Sequence, residues 1–286
     1  MVWWNLLPRG LVGMLARPGI IAVLAFWIVA AEGFADEAPM KGALVVCGGG
    51  ALPDSARERF VELAGGPRAR IVVIPTASES ADADGPERDG LLKPWIAKGV
   101  ASATLLHARS RDKADEPGFP EPIDEATGVW FGGGDQTRIV DAYLGTAVED
   151  ALRRLLDRGG VIGGTSAGAA IMSRVMITGG TDKATVGAGF GFLPGVVVDQ
   201  HALRRNRVNR LLGVLADHPD LTGVAIDEGT ALVVADGRWR VVGQSYVMIL
   251  HPADSPLTGR FDFRHDGDEG SVEGWRLGDR RGEGDR

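Results

Sequence analysis

Residues 160–172 read GVIGGTSAGAAIM. An apolar run leads into Gly164-Thr165-Ser166-Ala167-Gly168, and a second apolar run of helical character follows. A serine in G-x-S-x-G between a strand and a helix is typical of a sharp turn that exposes the serine hydroxyl. The glycines matter because the turn needs backbone angles that larger residues resist. The stretch predicts a strand–turn–helix unit with Ser166 as a candidate nucleophile, and an ordinary glycine-rich turn is the alternative.

Short apolar runs rich in β-branched residues recur before and around this unit. They cover residues 43–47, 70–74, 103–106, 128–131 and 161–162. Segments of helical character lie between them, over residues 55–64, 90–98, 137–143 and 146–158. Nearly continuous apolar runs suit strands that are buried on both faces of a sheet. The alternation predicts an α/β fold, a three-layer sandwich around a mainly parallel sheet.

The last third of the chain has a different character. A helix is expected over residues 202–216, followed by strands over residues 223–227, 231–234 and 239–242 that end the sheet as a meander. Beyond residue 257 the chain is rich in Gly, Asp and Arg and poor in apolar residues. We therefore expect a single α/β serine hydrolase domain over residues 36–256 and a poorly ordered tail over residues 257–286.

The first 35 residues have the pattern of a secretory signal peptide. Arg9 and Arg17 precede an uninterrupted apolar run over residues 20–31, and small residues follow at Gly33 and Ala35. The alternative is an uncleaved membrane anchor, but the run is shorter than the ~20 residues that a spanning helix needs. We expect cleavage after Ala35, a secreted or periplasmic protein, and no stable membrane association after cleavage.

The composition bounds the remaining function classes. The chain has 286 residues, a formal net charge of -7 and 44% hydrophobic residues, an ordinary globular balance. Nucleic-acid binding is not expected, because it usually requires a basic face. The single cysteine, Cys47, excludes an intramolecular disulfide. Its place at the end of an apolar run predicts a buried strand residue.

A serine hydroxyl needs a base to act as a nucleophile, and histidine is the usual choice. His201 follows the strand-like run over residues 196–198, and Asp227 and Glu228 follow another over residues 223–226. Polar residues at the carboxyl ends of strands are where α/β proteins form their sites. Two sets of catalytic residues remain possible at this point. One has the chain order serine, histidine, acid, with Ser166, His201 and Glu228. The other has the order serine, acid, histidine of the α/β-hydrolases, with Ser166, Asp227 and His251.

A glycine loop over residues 132–134 follows another predicted strand. Its amides, together with that of Ala167, could form an oxyanion hole beside Ser166. A phosphate-binding loop is disfavoured because no Lys–Ser/Thr pair follows, and residues 48–50 likewise lack a G-x-G-x-x-G continuation.

Four arginines, Arg204, Arg205, Arg207 and Arg210, follow His201. Such a cluster beside a candidate base suggests recognition of carboxylates. A solvated basic helix face is an equally good interpretation of the spacing alone.

Four stretches together resemble the cyanophycinases, of the serine peptidase family that also holds aspartyl dipeptidase. The stretches are GGGDQ at residues 132–136, GGTSAGA at 163–169, DQH at 199–201 with the arginines after it, and IDEGTAL at 226–232. The resemblance covers roughly residues 42 to 250. It implies the flavodoxin-like α/β sandwich of the class I glutamine amidotransferases.

The resemblance also implies roles for individual residues. Ser166 would be the nucleophile, His201 the base and Glu228 its orienting partner. Gly134 and Ala167 would supply the oxyanion amides. No metal or cofactor is expected. The positions that line the substrate pocket in the family are Gln136, Asp199, Gln200, Arg205, Arg207 and Arg210. One departure is Ala202, which sits where an aromatic residue is common.

The substrate implied by the resemblance is cyanophycin, a polyaspartate backbone that carries arginine on each side-chain carboxyl. The expected reaction releases β-aspartyl-arginine dipeptides through an acyl-enzyme, and the expected assembly is a homodimer. Two alternatives remain: a related peptidase for short aspartyl or isoaspartyl peptides, and a non-catalytic protein that binds polyanionic peptide.

Overall fold

The structure is a computed structural model that describes residues 41–82, 85–251 and 260–275. These residues belong to one compact unit. The signal peptide predicted over residues 1–35 lies outside the described residues, so it stays a prediction. Within the described ranges, no helix has both the length and the apolarity needed to cross a bilayer.

The strands of the described residues are, in chain order, β1 (Ala43–Cys47), β2 (Arg70–Ile74), β3 (Ser102–Leu105), β4 (Gly128–Phe131), β5 (Val161–Thr165), β6 (Val175–Gly179), β7 (Thr185–Ala188), β8 (Val196–Gln200), β9 (Thr222–Ile226), β10 (Thr230–Ala235), β11 (Arg238–Gly243), β12 (Val247–Leu250), β13 (Phe261–Arg264) and β14 (Glu269–Ser271). The α-helices are α1 (Asp54–Leu63), α2 (Pro86–Ile96), α3 (Arg111–Ala114), α4 (Glu121–Glu125), α5 (Gln136–Tyr143), α6 (Ala147–Asp157), α7 (Ala167–Ala170) and α8 (Val208–Asp217).

The main sheet contains eight strands in the order β14-β11-β10-β1-β5-β4-β2-β3. Neighbouring strands from β1 to β3 in this order are parallel, whereas β10, β11 and β14 extend the sheet with antiparallel pairs. Parallel neighbours require crossover connections, which here contain helices. Because β5 lies between β1 and β4, the turn after β5 emerges at the middle of the sheet's carboxyl edge.

Both faces of the main sheet are covered. On β1, Leu44 and Val46 belong to one apolar cluster and Val45 to another, because successive strand side chains point to opposite faces. Phe60 of α1 and Trp95 of α2 pack on the Val45 side. Helices α5 and α6 supply apolar side chains to the other cluster. The predicted three-layer α/β sandwich with a mainly parallel sheet is confirmed.

A second sheet has the order β13-β12-β9-β8, with β8 and β9 parallel. The prediction that residues 223–227 join the meander of the main sheet is wrong, since β9 pairs with β8 and β12. Its buried apolar residues suit either sheet, so the pattern alone did not distinguish them. The parallel strands β8 and β9 end together, which brings the residues that follow them to one place.

The helix predicted over residues 202–216 begins later, at Val208. His201 and Asn206 have φ values of 54° and 50°, which a right-handed helix does not accommodate. The chain therefore makes a turn after β8 before α8 starts. Arg204 and Arg205 lie in this turn and not on a helix face.

Residues 260–275 differ from the predicted tail. Strand β13 pairs with β12, and β14 pairs with β11. Trp275 is 3% exposed and stacks on Trp239 with ring centroids 6.4 Å apart. Backbone pairing and one buried tryptophan thus order a segment that is poor in apolar residues. The domain extends past the predicted limit at residue 256, and residues 276–286 lie outside the described part of the chain.

Candidate active site

Ser166 lies in the turn between β5 and α7, at the carboxyl edge of the main sheet. Its φ of 52° and ψ of -109° are rare for a residue with a side chain, and its N–H donates to Cys47 O at 3.1 Å. A Cβ on Gly164 would lie 2.3 Å from Gly168 O, and one on Gly168 would lie 2.5 Å from Phe131 O. Both glycines of the motif are therefore required by close backbone contacts.

His201 follows β8 and meets Ser166 from the second sheet. Its Nε2 lies 2.8 Å from Ser166 Oγ, within hydrogen-bond distance. The His201 N–H donates to Gly48 O at 2.7 Å, and the residue is 5% exposed. Its backbone has a positive φ of 54°. The main-chain bond and the burial together fix the imidazole beside the serine hydroxyl.

Glu228 follows β9 and completes the arrangement. Its Oε1 lies 2.6 Å from His201 Nδ1, so the carboxylate accepts a hydrogen bond from the imidazole when Nδ1 carries a proton. That tautomer leaves Nε2 free to accept the proton of the Ser166 hydroxyl. The three side chains form the nucleophile–base–carboxylate series that activates a serine for attack on a carbonyl.

Burial lowers the pKa of His201 below its ordinary value of 6.5. The Glu228 carboxylate acts in the opposite direction, and the guanidinium groups of Arg205 and Arg207 lower the pKa further. The net effect keeps the imidazole neutral at neutral pH. A neutral imidazole is the form that can take a proton from a hydroxyl.

The fold does not bring together the alternative catalytic set of Ser166, Asp227 and His251. The Asp227 carboxylate accepts hydrogen bonds from the Leu203 and Arg204 N–H groups at 3.1 and 2.9 Å. It therefore holds the turn that follows His201. His251 is instead paired through Nε2 with Asp262, at 2.9 Å.

The glycine loop over residues 132–134 lies beside Ser166. A Cβ on Gly133 would be 3.4 Å from Ser166 Cβ. Gly134 has a φ of 139°, and a Cβ there would be 2.2 Å from Ala77 O. The N–H groups of Gly134 and Ala167 donate to no described residue, and Ala167 opens α7. These positions are compatible with the predicted oxyanion role, which stays a prediction.

The sequence model of peptidase family S51 matches residues 44–242. The chain belongs to peptidase family S51. A cyanophycinase of Synechococcus elongatus is 37% identical over 232 residues, which cover 76% of this chain and 70% of that protein. A cyanophycinase of Geminocystis herdmanii is 33% identical over 223 residues, covering 74% and 81%.

Solved structures agree with this assignment. The crystal structure of a peptidase from an acI-B1 Actinobacterium has a TM-score of 0.64 and 25% identity. The match covers 81% of this chain and 97% of that one. The predicted family and its flavodoxin-like fold are thus confirmed, and the chain is a serine peptidase.

Three of the predicted substrate residues of this S51 peptidase bind other parts of the protein. Gln136 is 8% exposed, and its Nε2 donates to two carbonyl oxygens of β6. Asp199 and Arg210 form a buried ion pair, with Arg210 Nε 2.7 Å from Asp199 Oδ2. Burial raises the pKa of Asp199, and the guanidinium counteracts this shift. All three side chains are therefore buried and bonded to other parts of the protein.

The other predicted substrate residues differ in exposure: Gln200 is buried, Arg207 is half-buried and Arg205 is exposed. Arg207 Nη1 donates to Gln200 O at 3.0 Å and to Gln200 Oε1 at 2.9 Å, which ties these two side chains together. Arg205 is exposed, and its N–H donates to His201 O at 2.9 Å. Arg205 is thus the predicted substrate residue that is most available to a ligand.

One supporting element escaped the sequence reasoning. Residues 48–50 form a glycine loop that lies against the base and its carboxylate. A Cβ on Gly49 would be 2.2 Å from His201 Cε1, and one on Gly50 would be 2.9 Å from Glu228 Oε2. The three consecutive glycines after β1 are the sequence signal of this loop, but a search for a nucleotide-binding pattern does not reveal its role.

Cys47 behaves as the sequence predicts. It is a free cysteine, 1% exposed, in the last position of β1. Burial raises the pKa of its thiol well above the ordinary value. A buried protonated thiol is a poor nucleophile, so Cys47 contributes to the core and not to the chemistry.

Proposed function

We propose that this S51 peptidase hydrolyses cyanophycin and releases β-aspartyl-arginine dipeptides through an acyl-enzyme on Ser166. The arrangement of Ser166, His201 and Glu228 carries the proposal, with hydrogen-bond distances of 2.8 and 2.6 Å. The similarity to cyanophycinases supports the choice of substrate.

In the first step, Ser166 Oγ attacks the carbonyl carbon of the scissile amide. The hydroxyl proton passes to His201 Nε2, and the carbonyl oxygen takes the negative charge. Amides of Gly134 and Ala167 would donate hydrogen bonds to that oxyanion. The Glu228 carboxylate stabilises the imidazolium that forms beside it.

In the second step, His201 gives its proton to the leaving nitrogen as the C–N bond breaks. The product fragment that carries the new amine departs, and the other fragment remains as an ester on Ser166. His201 then takes a proton from a water molecule, which attacks the ester carbonyl. Collapse of this second intermediate releases a carboxylate product and restores the Ser166 hydroxyl.

Recognition of the substrate would begin at the turn after His201. Exposed Arg204 and Arg205 lie there, beside the base. A guanidinium binds a carboxylate with two parallel hydrogen bonds, which suits the free α-carboxylates of cyanophycin. Export across a membrane and a homodimeric state belong to the proposal too. The apolar run over residues 20–31 motivates export, and family resemblance motivates the dimer.

The direct test incubates the protein, expressed without residues 1–35, with insoluble cyanophycin and measures soluble dipeptide by mass spectrometry. Wild type should release dipeptide, and Ser166→Ala should lose activity by on the order of 10⁶-fold. The matched control is Ser55→Ala, which changes an exposed serine on α1 and should retain full activity. No release by wild type, or equal release by Ser166→Ala, would refute the proposal.

Two other outcomes identify the alternatives. Cleavage of short aspartyl or isoaspartyl peptides, with the polymer left intact, would indicate a related peptidase with a different substrate. Binding of polyanionic peptide without hydrolysis, and without labelling of Ser166 by a serine-reactive phosphonate, would indicate a non-catalytic binding protein. An unactivated serine does not react with such a reagent.

A further inference from the structure

The β6–β7 hairpin, residues 175–188, belongs to neither large sheet. Strand β6 is partly buried, whereas all four residues of β7 are exposed. No strand of the described chain other than β6 pairs with β7. The position of the hairpin therefore depends on the packing of β6 and on the side chains that bind its backbone.

One such side chain comes from the glycine-loop side of the active site. Gln136 is the first residue of α5 and stands two positions after Gly134. Its Nε2 donates to Ile177 O at 2.8 Å and to Thr178 O at 2.9 Å. The two donor hydrogens of the amide are thus matched by two acceptors on β6. This amide fastens the hairpin to the loop beside Ser166.

A second side chain comes from the His201 side. Arg210 is 2% exposed and pairs with Asp199, which stands two residues before His201 on β8. Its Nη1 donates to Gly180 O, at the start of the hairpin turn. The buried ion pair thereby holds the turn next to the strand that carries the base.

We propose that the β6–β7 hairpin is a specificity-determining wall of the substrate cleft, and that Gln136 and Arg210 are positioning residues that hold it. The inference rests on the proposed hydrolysis of cyanophycin and adds an element to it. It follows from the two anchors, one on the helix that follows the glycine loop and one paired with the strand that precedes His201. It also explains why two buried side chains beside the site donate hydrogen bonds to backbone carbonyls of the hairpin.

The turn of the hairpin carries charges that suit the proposed substrate. Asp182 and Lys183 are exposed and have no ion pair with another described residue. An Asp/Arg polymer presents carboxylates and guanidinium groups in alternation, so a neighbouring acid and base can bind both kinds of group. Lys183 would bind a carboxylate and Asp182 a guanidinium.

The first test reverses the charge of Lys183 and measures steady-state hydrolysis of soluble cyanophycin fragments. Lys183→Glu should raise KM about five- to tenfold, in keeping with loss of one exposed ionic contact and gain of a repulsive one. The kcat should change less than KM, because Lys183 is not part of the series Ser166, His201 and Glu228. The matched control is Lys41→Glu. Lys41 is exposed and precedes β1, at the opposite edge of the sheet from Ser166.

The second test separates positioning from direct contact with substrate. Gln136→Met keeps the length of the side chain and removes the two hydrogen bonds to β6. Hydrogen–deuterium exchange without substrate should then increase about tenfold in residues 175–188, and KM should rise. Arg210→Lys should act on the same residues, because an ammonium cannot bind Asp199 and Gly180 with the geometry of a guanidinium.

An unchanged exchange rate in residues 175–188 together with a raised KM would overturn the positioning role, since it would indicate direct contact with substrate. An unchanged KM in Lys183→Glu would overturn the specificity role, and this exposed variant does not depend on the folding of the buried ones. Phosphonate labelling of wild-type Ser166 distinguishes the two proposals. If wild-type Ser166 is not labelled, the proposed function is refuted. If Ser166 is labelled but the hairpin variants have no effect, only the proposed role of the hairpin is refuted.

Discussion

Replacement of Glu228 by glutamine tests how much of the chemistry depends on a negative charge behind His201. The amide of the Glu228→Gln variant can still accept a hydrogen bond from Nδ1–H, so the tautomer and orientation of His201 can persist. The change removes the charge and little else. Any fall in rate then measures the electrostatic stabilisation of the imidazolium.

The expected magnitude follows from the geometry. Nδ1 and Oε1 are 2.6 Å apart, and the Glu228 side chain is 30% exposed. For such a partly solvated pair the effective dielectric constant is about 20, and charge centres about 4 Å apart attract by roughly 4 kcal/mol. His201 is charged only after it takes the serine proton, so this energy is lost from the transition state. We expect kcat to fall by about 10³-fold.

Two assays measure this effect, namely dipeptide release and the rate of phosphonate labelling at Ser166, which does not depend on the substrate. The pH profile adds a second readout. Glu228 raises the pKa of His201, so without its charge this pKa falls further. In the pH profile of the labelling rate, the acid limb should therefore move to lower pH, and the rate on the plateau should fall.

The control is His251→Ala, which removes the histidine of the alternative catalytic set and breaks only its pair with Asp262. It should retain wild-type kcat. A loss below about tenfold in Glu228→Gln, or an acid limb that moves to higher pH, would refute the reasoning. A large loss in His251→Ala would do so as well.

Three further predictions concern the supports of the site. Gly49→Ala places a Cβ 2.2 Å from His201 Cε1, so displacement of the imidazole should cost at least about 10²-fold in kcat. The control is Gly65→Ala, where φ is also positive, at 108°, but no neighbour lies closer than 3.9 Å; it should leave kcat unchanged. Equal losses of kcat in the two variants would contradict displacement of the imidazole as the cause. In wild type, the acid limb of kcat/KM should have its midpoint below the ordinary histidine value of 6.5, and a midpoint above it would show that burial does not dominate. Asp199→Ala leaves the guanidinium of Arg210 buried without its partner, so urea denaturation should show about 3–5 kcal/mol less stability; a loss below about 1 kcal/mol would contradict this.

Local sequence patterns were sufficient for the parallel part of the main sheet. Strands β1, β2 and β4 have the bounds that their apolar runs predict. These strands are buried on both faces, so nearly every residue is apolar and the run marks the strand from end to end. The patterns were less informative for residues 260–275, whose order depends on pairing with β11 and β12 and on the burial of Trp275.

For the site, each residue of the triad could be found in the sequence, because each follows an apolar run. Distances along the chain, however, did not distinguish between the two candidate sets of catalytic residues. His201 and His251 both follow strands of the second sheet. Only the fold shows that β8 and β9 are parallel neighbours, so that His201 and Glu228 leave the same edge. By contrast, β12 runs antiparallel to β9, so its carboxyl end, and His251 with it, lies at the other edge.

The sequence by itself determined the α/β class, the Ser166 turn and the peptidase family, because short-range patterns and motif residues are properties of the linear chain. The tertiary structure decided which polar groups are open to a ligand. Asp199, Arg210 and Gln136 sit among the site residues in sequence, yet Asp199 and Arg210 pair with each other and the Gln136 Nε2 group donates to β6 inside the protein. A buried polar group must find a partner, and that partner lies far away in the chain: 41 residues separate Gln136 from Ile177.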